Sequence, residues 1–135
     1  MKVGMLIWGR SPLLSAYFEE ERSGPEVDWR PDLDVFELPQ EFVFSLSLPG
    51  VDSGDVDVSV LGGTMTVSGQ RKVGVPEHAV AHVIESPRGR FMRRLRLPAN
   101  SEVSGIRLQM ADGQLLIHVP KAPPRSVRVP VTRLR

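Results

Sequence analysis

Apolar and polar side chains alternate with a period of two residues in this 135-residue chain, and Gly and Pro interrupt the alternation at short intervals. That pattern demands strands buried on one face and leaves no stretch for a long amphipathic helix between them. In residues 41–48, Phe42, Phe44, Leu46 and Leu48 share one face and Glu41, Val43, Ser45 and Ser47 the other, before Pro49-Gly50 ends the run. Val56, Val58 and Val60 alternate with Asp57 and Ser59; Gly62-Gly63 follows, and Met65 and Val67 resume the pattern, which predicts a hairpin. Ile106, Leu108 and Met110 lead through a tight turn at Asp112-Gly113 into Leu115, Ile117 and Val119, a last hairpin ending at Pro120. Strand character is also expected at 82–85 and 90–97, bent apart by Pro87 and Gly89, while 71–81 reads as an extended loop. Seven or eight short strands at this spacing predict an all-β, immunoglobulin-like β-sandwich.

Charge divides the chain into opposite poles. Residues 1–70 hold four Lys and Arg against twelve Asp and Glu, a net of −8, whereas residues 71–135 hold thirteen against four, a net of +9. Such a split seats one half of a fold, or one subunit, on another, or offers a basic surface to an anionic partner. Nucleic acid is a poor match for that surface, because aromatic residues for base stacking make up 6% of the chain and mostly serve the arm or the core.

Most chemistry is excluded by what the sequence lacks. With no cysteine there is no disulfide, thiolate nucleophile or thiolate metal site, which fits a reducing compartment. Neither a phosphate-binding Gly-rich loop nor a G-x-S-x-G elbow is present, so no enzyme and no nucleotide cofactor is expected. His78 and His82 are four apart on a loop rather than a helix, and with His118 they read as ordinary surface histidines, with no metal expected. The apolar run Met5–Trp8 is too short for a signal-peptide core or a membrane span, so the expectation is a cytoplasmic protein with no membrane partner.

Both ends differ from the middle. Residues 1–27 form an arm with two apolar clusters, Leu6, Ile7 and Trp8, then Leu13, Leu14, Tyr17 and Phe18, and an acidic stretch at Glu19–Glu21. Ser11 and Pro12 suit the cap and first turn of a short helix over 13–21. Residues 122–135, with three prolines around Val127, Val129 and Val131, read as an extended tail.

Five segments, in order, resemble the small heat-shock protein family, which is built on an α-crystallin domain: Trp29-Arg30-Pro31 with Leu33-Asp34-Val35; Leu48-Pro49-Gly50-Val51; Gly89-Arg90-Phe91-Met92-Arg93-Arg94-Leu95-Arg96-Leu97-Pro98; Asp112-Gly113-Gln114-Leu115; and Val119-Pro120-Lys121. Leu95 stands where the family has an aromatic residue, and Gln114 where it has Val. The resemblance implies an α-crystallin domain over 28–121 and an ATP-independent chaperone of the stress response. Such a protein holds partly unfolded clients against aggregation and assembles from dimers into larger oligomers. A monomeric adaptor domain binding one defined partner is the alternative.

The resemblance also implies site residues. Val129-Pro130-Val131, or the overlapping Val127-Arg128-Val129, matches a tail anchor that docks on a neighbouring subunit. Its groove is expected between the strand of Val56, Val58 and Val60 and the strand of Leu115 and Ile117. Arg93 shares a strand face with Phe91, Leu95 and Leu97, so its guanidinium needs an acidic counter-ion. In the family this position belongs to the subunit interface, and the loop before it carries a strand that swaps onto the partner. Clients are expected at the arm, on Leu6, Ile7, Trp8, Leu13, Leu14, Tyr17 and Phe18.

Overall fold

Alternating strands bury their apolar faces by stacking one sheet on another, and the chain does this with seven antiparallel strands. The structure is a computed structural model describing residues 27–124 and 126–134. In chain order the strands are β1 (Leu33–Glu37), β2 (Glu41–Ser47), β3 (Val56–Leu61), β4 (Thr64–Arg71), β5 (Gly89–Arg96), β6 (Arg107–Ala111) and β7 (Gln114–Pro120). They form a four-stranded sheet ordered β1-β2-β7-β6 and a three-stranded sheet ordered β3-β4-β5. The all-β sandwich is as the alternation requires.

Two-residue turns set the registers of two hairpins. Gly62 and Gly63 both have positive φ, as do Asp112 and Gly113, which is the backbone that follows the twist of a tight hairpin. These turns hold Leu61 opposite Thr64 and Ala111 opposite Gln114. Elsewhere, the Leu48–Val51 turn closes through the Val51 N–H, which donates to the Leu48 carbonyl at 3.1 Å, and both residues are buried.

Inward residues of the interior strands make the core: Phe42, Phe44 and Leu46 from β2, Met65 and Val67 from β4, Leu115, Ile117 and Val119 from β7, joined by Phe91 and Leu95 from β5. Leu95 is fully buried, so an aliphatic side chain fills the site where an aromatic was expected. Gln114 points to the outer face, where it accepts from the Ser45 hydroxyl at 3.0 Å and donates to Ser47 Oγ at 3.3 Å, tying β7 to β2.

The strand expected at 82–85 does not form. β4 and β5 already pair from Thr64↔Arg96 to Arg71↔Gly89, so the residues between them lie past the end of the sheet with no described strand beside them. Val80, Val83 and Ile84 are accordingly exposed. The helix expected over 13–21 and the apolar arm lie outside the described residues.

Phe91 is buried against β4 and meets the Trp29 ring edge-on, with centroids 5.3 Å apart. Phe91→Ala is expected to lower the unfolding free energy by about 3–5 kcal/mol, as read from urea denaturation.

Candidate functional site

Edge strands leave backbone groups and side chains uncovered, and here two edges open on the same side. The segment before β1 bonds to β5, since the Asp28 N–H donates to the Arg90 carbonyl at 2.8 Å and Trp29 Nε1 donates to the Gly89 carbonyl at 3.0 Å. With β1 and β5 on one side of the sandwich, β3 and β6 share the other.

Along that side the inward faces are incompletely covered. Val56, Val58 and Val60 of β3 pack against the core yet stay half-exposed. On β6, Leu108 stands opposite Ile117 and Met110 opposite Leu115, so both face inward. Even so, Leu108 is 52% exposed and Met110 is half-buried. The interior strand tells the contrast: Leu115 is 3% exposed and Ile117 is 0%. The expectation that Leu115 and Ile117 line an opening is therefore corrected. They lie on β7, an interior strand flanked by β2 and β6, and the apolar groups at the open side are Leu108 and Met110. The Ile106-Leu108-Met110 alternation marks them in the sequence, but alternation does not say which strand of a hairpin ends the sheet.

Among the described residues beyond Pro120 there is no helix or strand, only an isolated bridge from Lys121 to Ser101, and Val127, Val129 and Val131 are exposed, Val131 at 97%. Pro130 removes one N–H donor and restricts φ, which keeps the two flanking valines on an extended backbone.

Arg93 is buried at 9% exposure, as its strand parity requires. Its Nη1 donates to the Pro31 carbonyl at 2.7 Å. Burial pulls its pKa down, and the neighbouring Asp32 charge acts against that shift by favouring the cation. Arg30 is also lowered, first by burial and then by repulsion from Arg93. The arginine thus binds the start of β1 to the edge of the opposite sheet, and the acidic group that favours its charge belongs to its own domain. Gly89 makes room for this junction: its φ is +96°, and a Cβ there would strike the Asp28 carboxylate. Of the histidines, His78 and His82 lie on the exposed 72–88 loop, and His118 Nδ1 lies 3.3 Å from Glu41 Oε1 on the outer face.

Comparison with known proteins gives consistent matches. A family model described as Hsp20/alpha crystallin family matches residues 34–132. The 16.9 kDa class I heat shock protein 3 of Oryza sativa subsp. japonica is 40% identical over 98 residues, covering 71% of this chain and 62% of that protein. The chain therefore spans less than two thirds of the length of that relative. Among solved structures, a small heat-shock protein from Xylella fastidiosa superposes with a TM-score of 0.69 at 31% identity, covering 78% of this chain and 99% of that one. The hspA of Xanthomonas axonopodis gives a TM-score of 0.65 at 33% identity, covering 72% and 98%.

Arg93→Ala would leave the Pro31 carbonyl without this donor, and a loss of about 1–3 kcal/mol is expected in urea denaturation. Arg93→Lys keeps the charge but not the planar fork, and is expected to recover part of the loss.

Proposed function

This chain belongs to the Hsp20/alpha crystallin family, and on that premise we propose that it is an ATP-independent chaperone of the small heat-shock type. It captures partly unfolded proteins, keeps them from aggregating, and assembles from dimers into larger oligomers. The observation that carries this reading is the pairing of an apolar seam with an apolar tail. Val56, Val58, Val60, Leu108 and Met110 stay uncovered between β3 and β6, while Val129 and Val131 extend into solvent without a core of their own.

A tail from a neighbouring copy fills the seam. Burying two valines contributes about 3 kcal/mol at most, which alone corresponds to a contact no tighter than roughly millimolar. Several such contacts in one particle make each later docking intramolecular, so the assembly is firm while each link exchanges. The similar protein from Xylella fastidiosa is described as having a distinct high order structure, in keeping with assembly of this kind.

Dimerisation uses the 72–88 loop. Among the described residues it has no strand beside it, and it exposes Val75, Val80, Val83 and Ile84. β1 is an edge strand with no described strand on its outer side, and Phe36 on it is 56% exposed. Pairing of the loop with β1 of a partner satisfies both, with Arg93 beneath β1 bracing the interface. Clients meet the arm through Leu6, Ile7, Trp8, Leu13, Leu14, Tyr17 and Phe18, since an adaptable apolar segment fits many partly unfolded chains. The reading includes no cofactor, enzyme activity, nucleic acid or membrane, and places the protein in the cytoplasm.

Val129→Gly with Val131→Gly is expected to shrink the native assembly toward dimers, read as mass by light scattering; an unchanged mass would count against tail docking. Replacing 72–88 by a tight turn is expected to yield monomers in sedimentation, and a surviving dimer refutes the swap. Deleting residues 2–24 is expected to abolish suppression of client aggregation, measured by turbidity.

A further inference from the structure

The tail leaves β7 through a clamped root. On one side the Lys121 N–H donates to the Gln40 carbonyl at 2.8 Å; on the other, Lys121 bridges to Ser101 and the Ala122 N–H donates to the Asn100 carbonyl at 2.6 Å. The Lys121 side chain is held as well, with Nζ 3.9 Å from Glu37 Oε1 and 4.9 Å from the centre of the Phe42 ring. The backbone therefore keeps the direction of β7 as far as Ala122. Pro123 and Pro124 follow. Ala122 and Pro123 each precede a proline, which holds both in extended conformation, and the pair adds about 6 Å to the straight run.

We propose that this straight exit bars the tail from the seam of its own chain, so that docking always joins two copies, and that Pro123 and Pro124 are the residues that decide it. The inference rests on the tail-docking reading and adds what selects the partner. Contour length carries it. Leu108 stands opposite Ile117 and Met110 opposite Leu115, which centres the β6 side of the seam at the level of Leu116. From Pro124 back to that level is eight residue steps, about 26 Å. Val129 and Val131 are centred at position 130, six steps past Pro124, and six extended residues reach about 20 Å. Even a reversal made at once after Pro124 leaves the two valines about 6 Å short, and the sideways step from β7 to β6 only lengthens the path. The overlapping pair Val127 and Val129 falls shorter by two residues more.

Without the prolines the balance changes sign. A chain able to turn directly after Ala122 needs six steps, about 20 Å, to regain the level of Leu116, and has eight steps, about 26 Å, before position 130. A tail that reaches its own seam competes there at the millimolar effective concentration of a short tether, against links to neighbours that are individually weak. Self-docking closes each chain on itself and ends growth of the particle. In keeping with the bar, Val129 and Val131 are 76% and 97% exposed, so neither is laid on the seam of the same chain.

The chain has no cysteine, so Ser59→Cys, on the exposed outer face of β3, with Thr132→Cys, beside Val131, accepts two spin labels in an otherwise full-length chain. Refolding the labelled chain with a large excess of unlabelled chain restricts the dipolar measurement to distances within one chain. A tail lying in its own seam gives a component at roughly 20 Å, set by the spacing of the sheets plus the labels. The parent is expected to lack it. Pro123→Gly with Pro124→Gly is expected to gain it and to lose native mass in light scattering. A second chain, with six Gly and Ser residues inserted after Pro124, keeps the prolines, supplies about 20 Å of slack, and is expected to behave alike. Val129→Gly with Val131→Gly, added to either chain, should remove the component. A 20 Å component in the parent overturns the proposal. So do proline and insertion chains that keep the parent's mass, or that lose mass without the component, since a loosened tail alone explains that. Val129→Gly with Val131→Gly in the parent separates the two readings. If it shrinks the assembly while the proline and insertion chains do not, the role of the prolines fails alone; if it leaves the mass unchanged, tail docking fails and the inference with it.

Discussion

Uncovered sheet edges govern this molecule. Two stacked sheets of four and three strands have four edge strands, β1, β6, β3 and β5, and each presents N–H and C=O groups that pairing within its own sheet does not satisfy. A closed barrel would remove the edges. This chain keeps them, and the ways it covers them differ in strength. β5 is partly capped at its Gly89–Arg90 end by Asp28 and Trp29, held by Arg93 beneath the start of β1. β3 and β6 receive no comparable cover from the described residues, and the half-exposed valines between them follow from that.

The core is insulated from those edges. Phe42, Phe44, Leu46, Met65, Val67, Ile117 and Val119 are fully buried and come from the interior strands β2, β4 and β7. Packing of this kind supplies the stability of the unit. Edge residues such as Leu108 and Val58 contribute less, because they keep part of their surface in water. The fold therefore does not depend on a partner at the seam, which is the condition that the proposed assembly, with links that form and break, requires.

Much of this architecture was legible in the sequence because its causes are local. Period-two alternation identified β2, β3 and β7, and the Gly62-Gly63 and Asp112-Gly113 turns gave their hairpins. The buried position of Arg93 followed from parity alone. What was not legible depended on neighbours. Residues 82–85 have strand-like composition but no described strand beside them, so composition failed there. The resemblance put the groove at the strand of Leu115 and Ile117, and nothing local in the sequence says which strand of the last hairpin ends the sheet. Only the sheet order, with β6 outside β7, shows that Leu108 and Met110 face the opening instead. The sequence calls for an acidic counter-ion to Arg93 without placing it; Asp32, next to the Pro31 carbonyl that Arg93 binds, is the acidic group of its own domain that favours the charge.

The polar split of the sequence is resolved by topology. Interleaving places strands from the acidic first half beside strands from the basic second half in both sheets, as in β2 with β7 and β4 with β5. Ion pairs among the described residues cross between the halves: Asp55 with Lys72, Asp28 with Arg90, Glu41 with Arg107, and Glu37 with Lys121. Exposed pairs such as these are each worth at most about 1 kcal/mol, so they align the sheets rather than hold them together. The segments flanking the sandwich continue the split, acidic in 19–26 and basic after Pro120. Weak pairs that align strands over a core already complete leave the stability of the unit to its apolar packing.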